Sequence, residues 1–464
     1  VASLLLDEAG QPSNPGSPAT PPRTAADTPV RRLALQVLAG TRRAYPALGL
    51  ALVDDADEQV RGLAVRWAVD VLRDEASRAT AAEAWRELRG GTSQAARAWI
   101  DARVPVLEAR LTGDPSAQVR YEAVRAVVQA ALGERTCRVL LAAFDDASVN
   151  VAKYALTNAA PACGGDPAVR ARLDALSAAA LSAEPGPVAK LPTWHRPAYA
   201  LVGFAQIAPA SARARVLQAM AAGEAWVRRY GAEAAGAVLA DAAARQARDD
   251  EMSAALASLV DDDDVNVAVV ALVALGRWRA DRRPQALRAL ARTGDELIIE
   301  AVAALRPVPP AQGDASPHAT EDREAAAACV NALARLTATG RETSRDARLA
   351  LVDCVAWAGT AEDANRLAPL LSDFDARVAE GAAAAIAKLL PSGSKAPVAT
   401  PKPLPRLPLP TEADLSRMST ARVVLTIRGR GDIVMRLRPD EAPLNAFRFL
   451  RLAESGYYTN LTFH

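Results

Sequence analysis

Arg422-Val423-Val424-Leu425-Thr426-Ile427 and Asp432-Ile433-Val434-Met435-Arg436-Leu437-Arg438 both alternate with period two, and Arg428-Gly429-Arg430-Gly431 lies between them. Two alternating runs around a glycine-bearing turn predict a β-hairpin. Val423, Leu425 and Ile427 share one face of the first strand; Ile433, Met435 and Leu437 share one face of the second. Asp440-Glu441-Ala442-Pro443 then opens a helix, with acids at its positive end and proline in the first turn. Leu444, Phe447, Leu450 and Ala453 form its apolar stripe, and Gly456 suits a left-handed cap at its end. A turn and a third strand are expected over Tyr457-Tyr458-Thr459-Asn460-Leu461-Thr462-Phe463-His464.

Upstream, residues 30–390 read as helical, and they repeat. A capping residue is followed three positions later by an aliphatic one at Asp57…Val60, Ser116…Val119, Asp146…Val149, Glu224…Val227, Asp262…Val265, Asp295…Ile298 and Asp375…Val378. Asp and Ser oxygens accept the orphan N–H groups of a first turn, and Glu224 is the poorer cap. Arg61, Arg120 and Arg228 follow the aliphatic position. Apolar stripes of helical period run behind these starts: Val60, Leu63, Ala64, Trp67, Ala68, Val71, Leu72; Val265, Ala268, Val269, Leu272, Val273; Val378, Ala382, Ala385, Ile386, Leu389. Successive starts lie 59, 30, 78, 38, 33 and 80 residues apart, a period in the thirties with degenerate members between. Such a period with two helices per unit predicts an α-solenoid. The acid cap, the Val-Arg pair and the small residues resemble HEAT repeats, including the short bacterial type.

The order of the C-terminal segment resembles the start of cyclophilin-type peptidyl-prolyl isomerases. The residues carrying the likeness are Gly431-Asp432-Ile433-Val434, Glu441-Ala442-Pro443, Phe447, Leu452-Ala453, Gly456-Tyr457-Tyr458 and Leu461-Thr462-Phe463-His464. The resemblance implies a β-barrel that grips a proline ring in an apolar cleft. It also implies an arginine donating a hydrogen bond near the prolyl nitrogen, weakening the amide resonance behind a rotation barrier of about 18–20 kcal/mol. In the family that arginine directly follows the Phe-His pair, so His464 enters as the neighbour of a residue outside the sequence. The fold class expected is therefore mainly α: a HEAT-like solenoid, then the start of a cyclophilin-like barrel (hairpin, helix, strand). Proline-containing polypeptides are the implied clients, with a protein partner on the solenoid. A scaffold without catalysis, or a helper of a modification enzyme, are the rival readings.

Composition fits. Half the residues are hydrophobic but only 4% aromatic, as in close-packed helices, and a net charge of +1 with interspersed signs argues against nucleic acid as partner. No apolar run is long enough to cross a membrane. Cys137, Cys163, Cys329 and Cys354 form no Cys-x-x-Cys pair and His195, His318 and His464 are scattered, so no metal or other cofactor is expected. The cysteines are either four small buried residues or, at spacings of 26 and 25, two disulfides of an oxidising compartment. Compartment stays open between cytoplasm and, given a signal peptide upstream, periplasm. Asp261-Asp262-Asp263-Asp264 reads as a solvated turn with a cap, lacking the glycine and glutamate of a calcium loop.

Residues 1–29 read as a flexible leader, 30–390 as the array, 391–420 as a proline-rich linker and 421–464 as the opening of the barrel domain. The linker holds seven prolines over 391–410 and is expected as a semi-rigid polyproline II spacer. Proline-rich interruptions at 184–197 and 307–320 are expected as loops between repeats.

Overall fold

A computed structural model of the chain describes residues 28–40, 45–179, 195–244, 248–276, 282–306, 319–341, 344–404, 408–427, 431–459 and 461. It is mainly helical, with one small antiparallel sheet near the C-terminus. The leader up to residue 27 and most of the two interruptions lie outside the described residues. The chain divides into two units, Val1–Ala183 with Thr193–Ala280, and Glu184–Pro192 with Asp281–His464.

In the first unit the helices are α1 (Thr28–Gly40), α2 (Pro46–Leu52), α3 (Glu58–Ala68), α4 (Glu75–Arg89), α5 (Ser93–Gly113), α6 (Ala117–Ala130) and α7 (Glu134–Ala143). They continue with α8 (Val149–Cys163), α9 (Pro167–Ser177), α10 (His195–Ile207), α11 (Pro209–Met220), α12 (Ala225–Ala244), α13 (Asp250–Leu259) and α14 (Val265–Leu275). Alternate helices stack: α3 on α6, α6 on α8, α8 on α10, α10 on α12, and α12 on α14. Small residues make the approach close. A Cβ on Gly203 of α10 would stand 2.8 Å from the Leu156 carbonyl oxygen of α8.

The turns before the stacked helices share one hydrogen-bond scheme. An aspartate accepts the backbone N–H of the capping residue two positions on: Asp55 from Asp57 (2.9 Å), Asp114 from Ser116 (2.9 Å), Asp146 from Ser148 (2.7 Å) and Asp262 from Asp264 (2.9 Å). The same carboxylates are gripped by arginines four residues past an earlier cap, Arg61 on Asp114, Arg120 on Asp146 and Arg228 on Asp262. Each of these arginines also turns back onto its own helix start, as Arg61 does onto the carbonyls of Asp55 (2.8 Å) and Ala56 (3.0 Å).

This scheme corrects the register expected at two starts. The caps of α8 and α14 are Ser148 and Asp264, two residues beyond Asp146 and Asp262. The core positions move with them: Val151 and Val267 are fully buried, whereas Val149 and Val265 are half-buried and Val273 is exposed. At Asp295 the cap is Gly294. The expected caps Asp57, Ser116 and Asp375 do occupy the cap positions.

The second unit contains α15 (Arg283–Leu290), α16 (Asp295–Leu305), α17 (Ala319–Ala338), α18 (Arg345–Ala358), α19 (Ala361–Leu367) and α20 (Ala376–Leu389). Here α16 stacks on α18 and α18 on α20. The turn scheme recurs, with Asp373 accepting from Asp375 N–H (2.8 Å) and from buried Arg348 (2.6 Å), whose guanidinium lies over the Phe374 ring. Among the described residues no strand interrupts the region before residue 390.

Two disulfides are present. Cys137 on α7 joins Cys163 on α8, and Cys329 on α17 joins Cys354 on α18. Of the two readings open in the sequence, pairing holds. Among the described residues no helix is long and apolar enough to cross a membrane.

The proline-rich stretch is not a free spacer throughout. Thr400 N–H donates to Leu371 O (2.7 Å) and Lys402 N–H to Asp373 O (3.1 Å), so this stretch lies along the last turn before α20. Its far end, expected as linker, folds into α21 (Glu412–Thr420), closed by a capping box between Thr411 and Asp414.

Candidate functional site

The C-terminal module builds up from its hairpin. β1 (Arg422–Ile427) pairs antiparallel with β2 (Gly431–Arg436), placing Val423 opposite Met435, Val424 opposite Val434 and Leu425 opposite Ile433. Gly431 has φ of 102°, a conformation only glycine adopts freely, where the chain leaves the turn. α22 (Pro443–Glu454) follows, with Pro443 in its first turn as the sequence implied. It ends where Gly456, at φ of 72°, lets Tyr457 N–H reach Leu452 O (3.0 Å) and Gly456 N–H reach Ala453 O (3.1 Å).

A small core joins these parts. Met418 of α21, Leu437, and Ala446, Phe447 and Leu450 of α22 are buried together, with Leu415, Ala421, Val423 and Phe449 against them. An ion pair of 2.8 Å between Arg417 and Glu454 ties α21 to α22. α21 supplies the cover that a bare hairpin and helix would lack. Leu444, expected in the apolar stripe, is exposed instead, because it sits on the outer side of the helix.

Beyond that core the module leaves apolar surface open. Val424, Val434 and Ile433 are 54%, 63% and 45% exposed, although they alternate as strand residues destined for a sheet face. Arg438 forms ion pairs with Asp440 (3.0 Å) and Glu441 (2.7 Å) at the turn into α22. Its hydrogen bond holds the Asp440 carboxyl below the usual carboxylate range. Tyr458 packs at a tilt against Phe449 at 5.2 Å and edge-on to Tyr457 at 5.3 Å, and burial followed by Tyr457 pushes its hydroxyl upward in pKa. Arg341 donates to Thr459 O at 3.4 Å.

Residues Tyr457–Thr459 form a turn, and the strand expected there falls largely on residues outside the described set, as do Phe463 and His464. The structure therefore assigns no geometry to the one site residue the sequence singled out. Among the described residues no group of three or more His, Cys, Asp or Glu stands together as a metal site requires.

The family model of cyclophilin-type peptidyl-prolyl cis-trans isomerases (Cyclophilin type peptidyl-prolyl cis-trans isomerase/CLD) matches residues 422–464. No curated protein matches the chain. Among solved structures, one engineered protein is 16% identical, over 75% of this chain and 99% of its own, with a TM-score of 0.34. A second engineered protein is 14% identical, over 68% of this chain and 98% of its own, with a TM-score of 0.21. Superpositions this loose carry no argument about fold or function.

Proposed function

We propose that α21 through residue 464 opens a cyclophilin-type prolyl isomerase domain carried behind a HEAT-like solenoid. The protein would accelerate cis–trans exchange at X–Pro bonds of polypeptide clients held by the helical array. One observation carries this reading: the matched residues form hairpin, proline-started helix and glycine cap in the family's order, and they leave open the strand faces that further barrel strands would cover. What supports the HEAT-like part is the stacking of alternate helices and the aspartate-cap-arginine scheme repeated from turn to turn.

The chemistry implied is electrostatic, with a guanidinium favouring the twisted amide over the planar one and no covalent step. The family places that guanidinium just past the Phe-His pair, so a polypeptide of residues 1–464 is expected to be inactive. The test is a proline-limited refolding assay on residues 1–464 and on a continued chain, about 120 residues longer, enough to complete a domain. Acceleration by the continued chain alone is the expected result. Acceleration by residues 1–464 contradicts the need for an arginine beyond His464. Silence from a folded, continued chain that carries the arginine contradicts catalysis and leaves a scaffold.

A further inference from the structure

Four of the seven tyrosines, Tyr121, Tyr154, Tyr199 and Tyr230, sit on α6, α8, α10 and α12, which stack consecutively in the first unit. Tyr121 meets Tyr154 edge-on at 5.2 Å, and Tyr199 meets Tyr230 at 4.5 Å. Lys153 spans the latter pair, its ammonium 5.3 Å from the Tyr199 ring centre and 6.0 Å from that of Tyr230. The Arg229 guanidinium lies 5.5 Å from the Trp226 ring and 5.2 Å from Tyr230. Trp226 and Lys153 are exposed, Tyr121, Tyr154 and Arg229 are half-exposed, and Tyr199 and Tyr230 are buried. In a chain only 4% aromatic, this is a concentration of the side chains that dominate protein interfaces.

The face is also short of negative charge. Glu233 is taken by Arg229 (3.7 Å), and Glu122 stands between Arg66 (3.6 Å) and Arg125 (4.0 Å). Lys153 has no carboxylate within ion-pairing distance among the described residues. Although the residue as a whole is exposed, its ammonium is desolvated over the two rings, and this, then the like charge of Arg229, pushes it below the usual lysine range, with Glu233 opposing less strongly. An ammonium held over two rings beside another cation is a place where an incoming carboxylate gains more than it would in water.

We propose that this face binds an extended acidic segment of a polypeptide partner, its carboxylates on Lys153 and Arg229 and its chain laid over Trp226 and Tyr154. A polypeptide is favoured over nucleic acid because Glu122 and Glu233 interrupt the cations, leaving no continuous basic stripe for a phosphate backbone. The inference stands on the first unit alone and does not depend on the isomerase reading.

The experiment is calorimetric titration of the chain with a Glu-Ala repeat peptide, its Gln-Ala counterpart and oligothymidylate. The Glu-Ala peptide should bind at least about tenfold more tightly than the Gln-Ala one. Lys153→Gln should weaken the Glu-Ala peptide by about fivefold, and Trp226→Ala should weaken both peptides, with the helical circular dichroism unchanged. Equal affinity for the two peptides, indifference to Lys153→Gln, or oligothymidylate binding as tightly as the acidic peptide would each overturn the proposal.

Discussion

Arg120 holds both carboxylate oxygens of Asp146, at 2.7 and 2.8 Å, while its remaining terminal nitrogen donates to the Asp114 carbonyl oxygen at 2.7 Å. One side chain thus binds the turn before its own helix to the turn before the next stacked helix. Asp146 in turn accepts the Ser148 N–H that starts α8.

Breaking this pair from one side should be costly, because the partner stays largely buried with its charge. Asp146→Asn or Arg120→Met is expected to lower unfolding free energy by about 3 kcal/mol. Arg120→Lys should recover only part, since an ammonium cannot span both oxygens. Urea denaturation checks this; a loss below the error of the extrapolation for both variants would remove the pair from the fold's support.

The same pair fixes a pH dependence. Burial alone would raise the Asp146 carboxyl, but the Arg120 hydrogen bonds, the Ser148 N–H and the Arg120 charge together hold it below its ordinary value. A depressed folded pKa contributes stability that is complete above the unfolded value of about 3.9 and fades as pH falls through the folded one. Stability should therefore be lost on acidification below about pH 4, with a shallower fall in Asp146→Asn. Stability curves measured across that range decide it.

Core register can be read by charge insertion. Val267→Asp and Val378→Asp place a carboxylate at fully buried positions and should each cost several kcal/mol, whereas Val265→Asp, at a half-buried one, should be mild. Thermal unfolding with Val265 as costly as Val267 would return the register to the one expected from spacing.

Each disulfide closes a loop of 26 or 25 residues and is expected to add about 3 kcal/mol. Non-reducing digestion and mass spectrometry of oxidised protein should find Cys137 with Cys163 and Cys329 with Cys354, and no crossed pairs.

Hydrogen exchange tests the pinned linker. Thr400 and Lys402 amides, which have acceptors on Leu371 and Asp373, should exchange more slowly than that of exposed Val398. Equal rates at all three would mean a free spacer.

The hairpin, the proline-started helix and its glycine cap were legible because each depends on nearest neighbours: period two, a proline at a helix start, a glycine at a helix end. The stacked helices were legible as elements but not in register at 146 and 262, where an aspartate and the true cap stand two residues apart and both suit a cap. Only the distant arginine tells them apart, by choosing the first. The disulfides and the face around Lys153 join residues of different helices, so spacing left the first open and gave no sign of the second. α21 does not stand out in the sequence because the prolines before it dominate the local composition.

The anchoring of Thr400 and Lys402 moves the point at which the proline-rich stretch parts from the helices. The chain does not leave the helices at residue 390: it stays on the turn before α20 as far as Lys402, so the first part of the proline-rich stretch belongs to the packed helical body. Asp373 stands at that last attachment, with its side chain on Arg348 and its carbonyl oxygen on Lys402. A disturbance at that one residue would loosen together the start of α20 and the attachment of the proline-rich stretch.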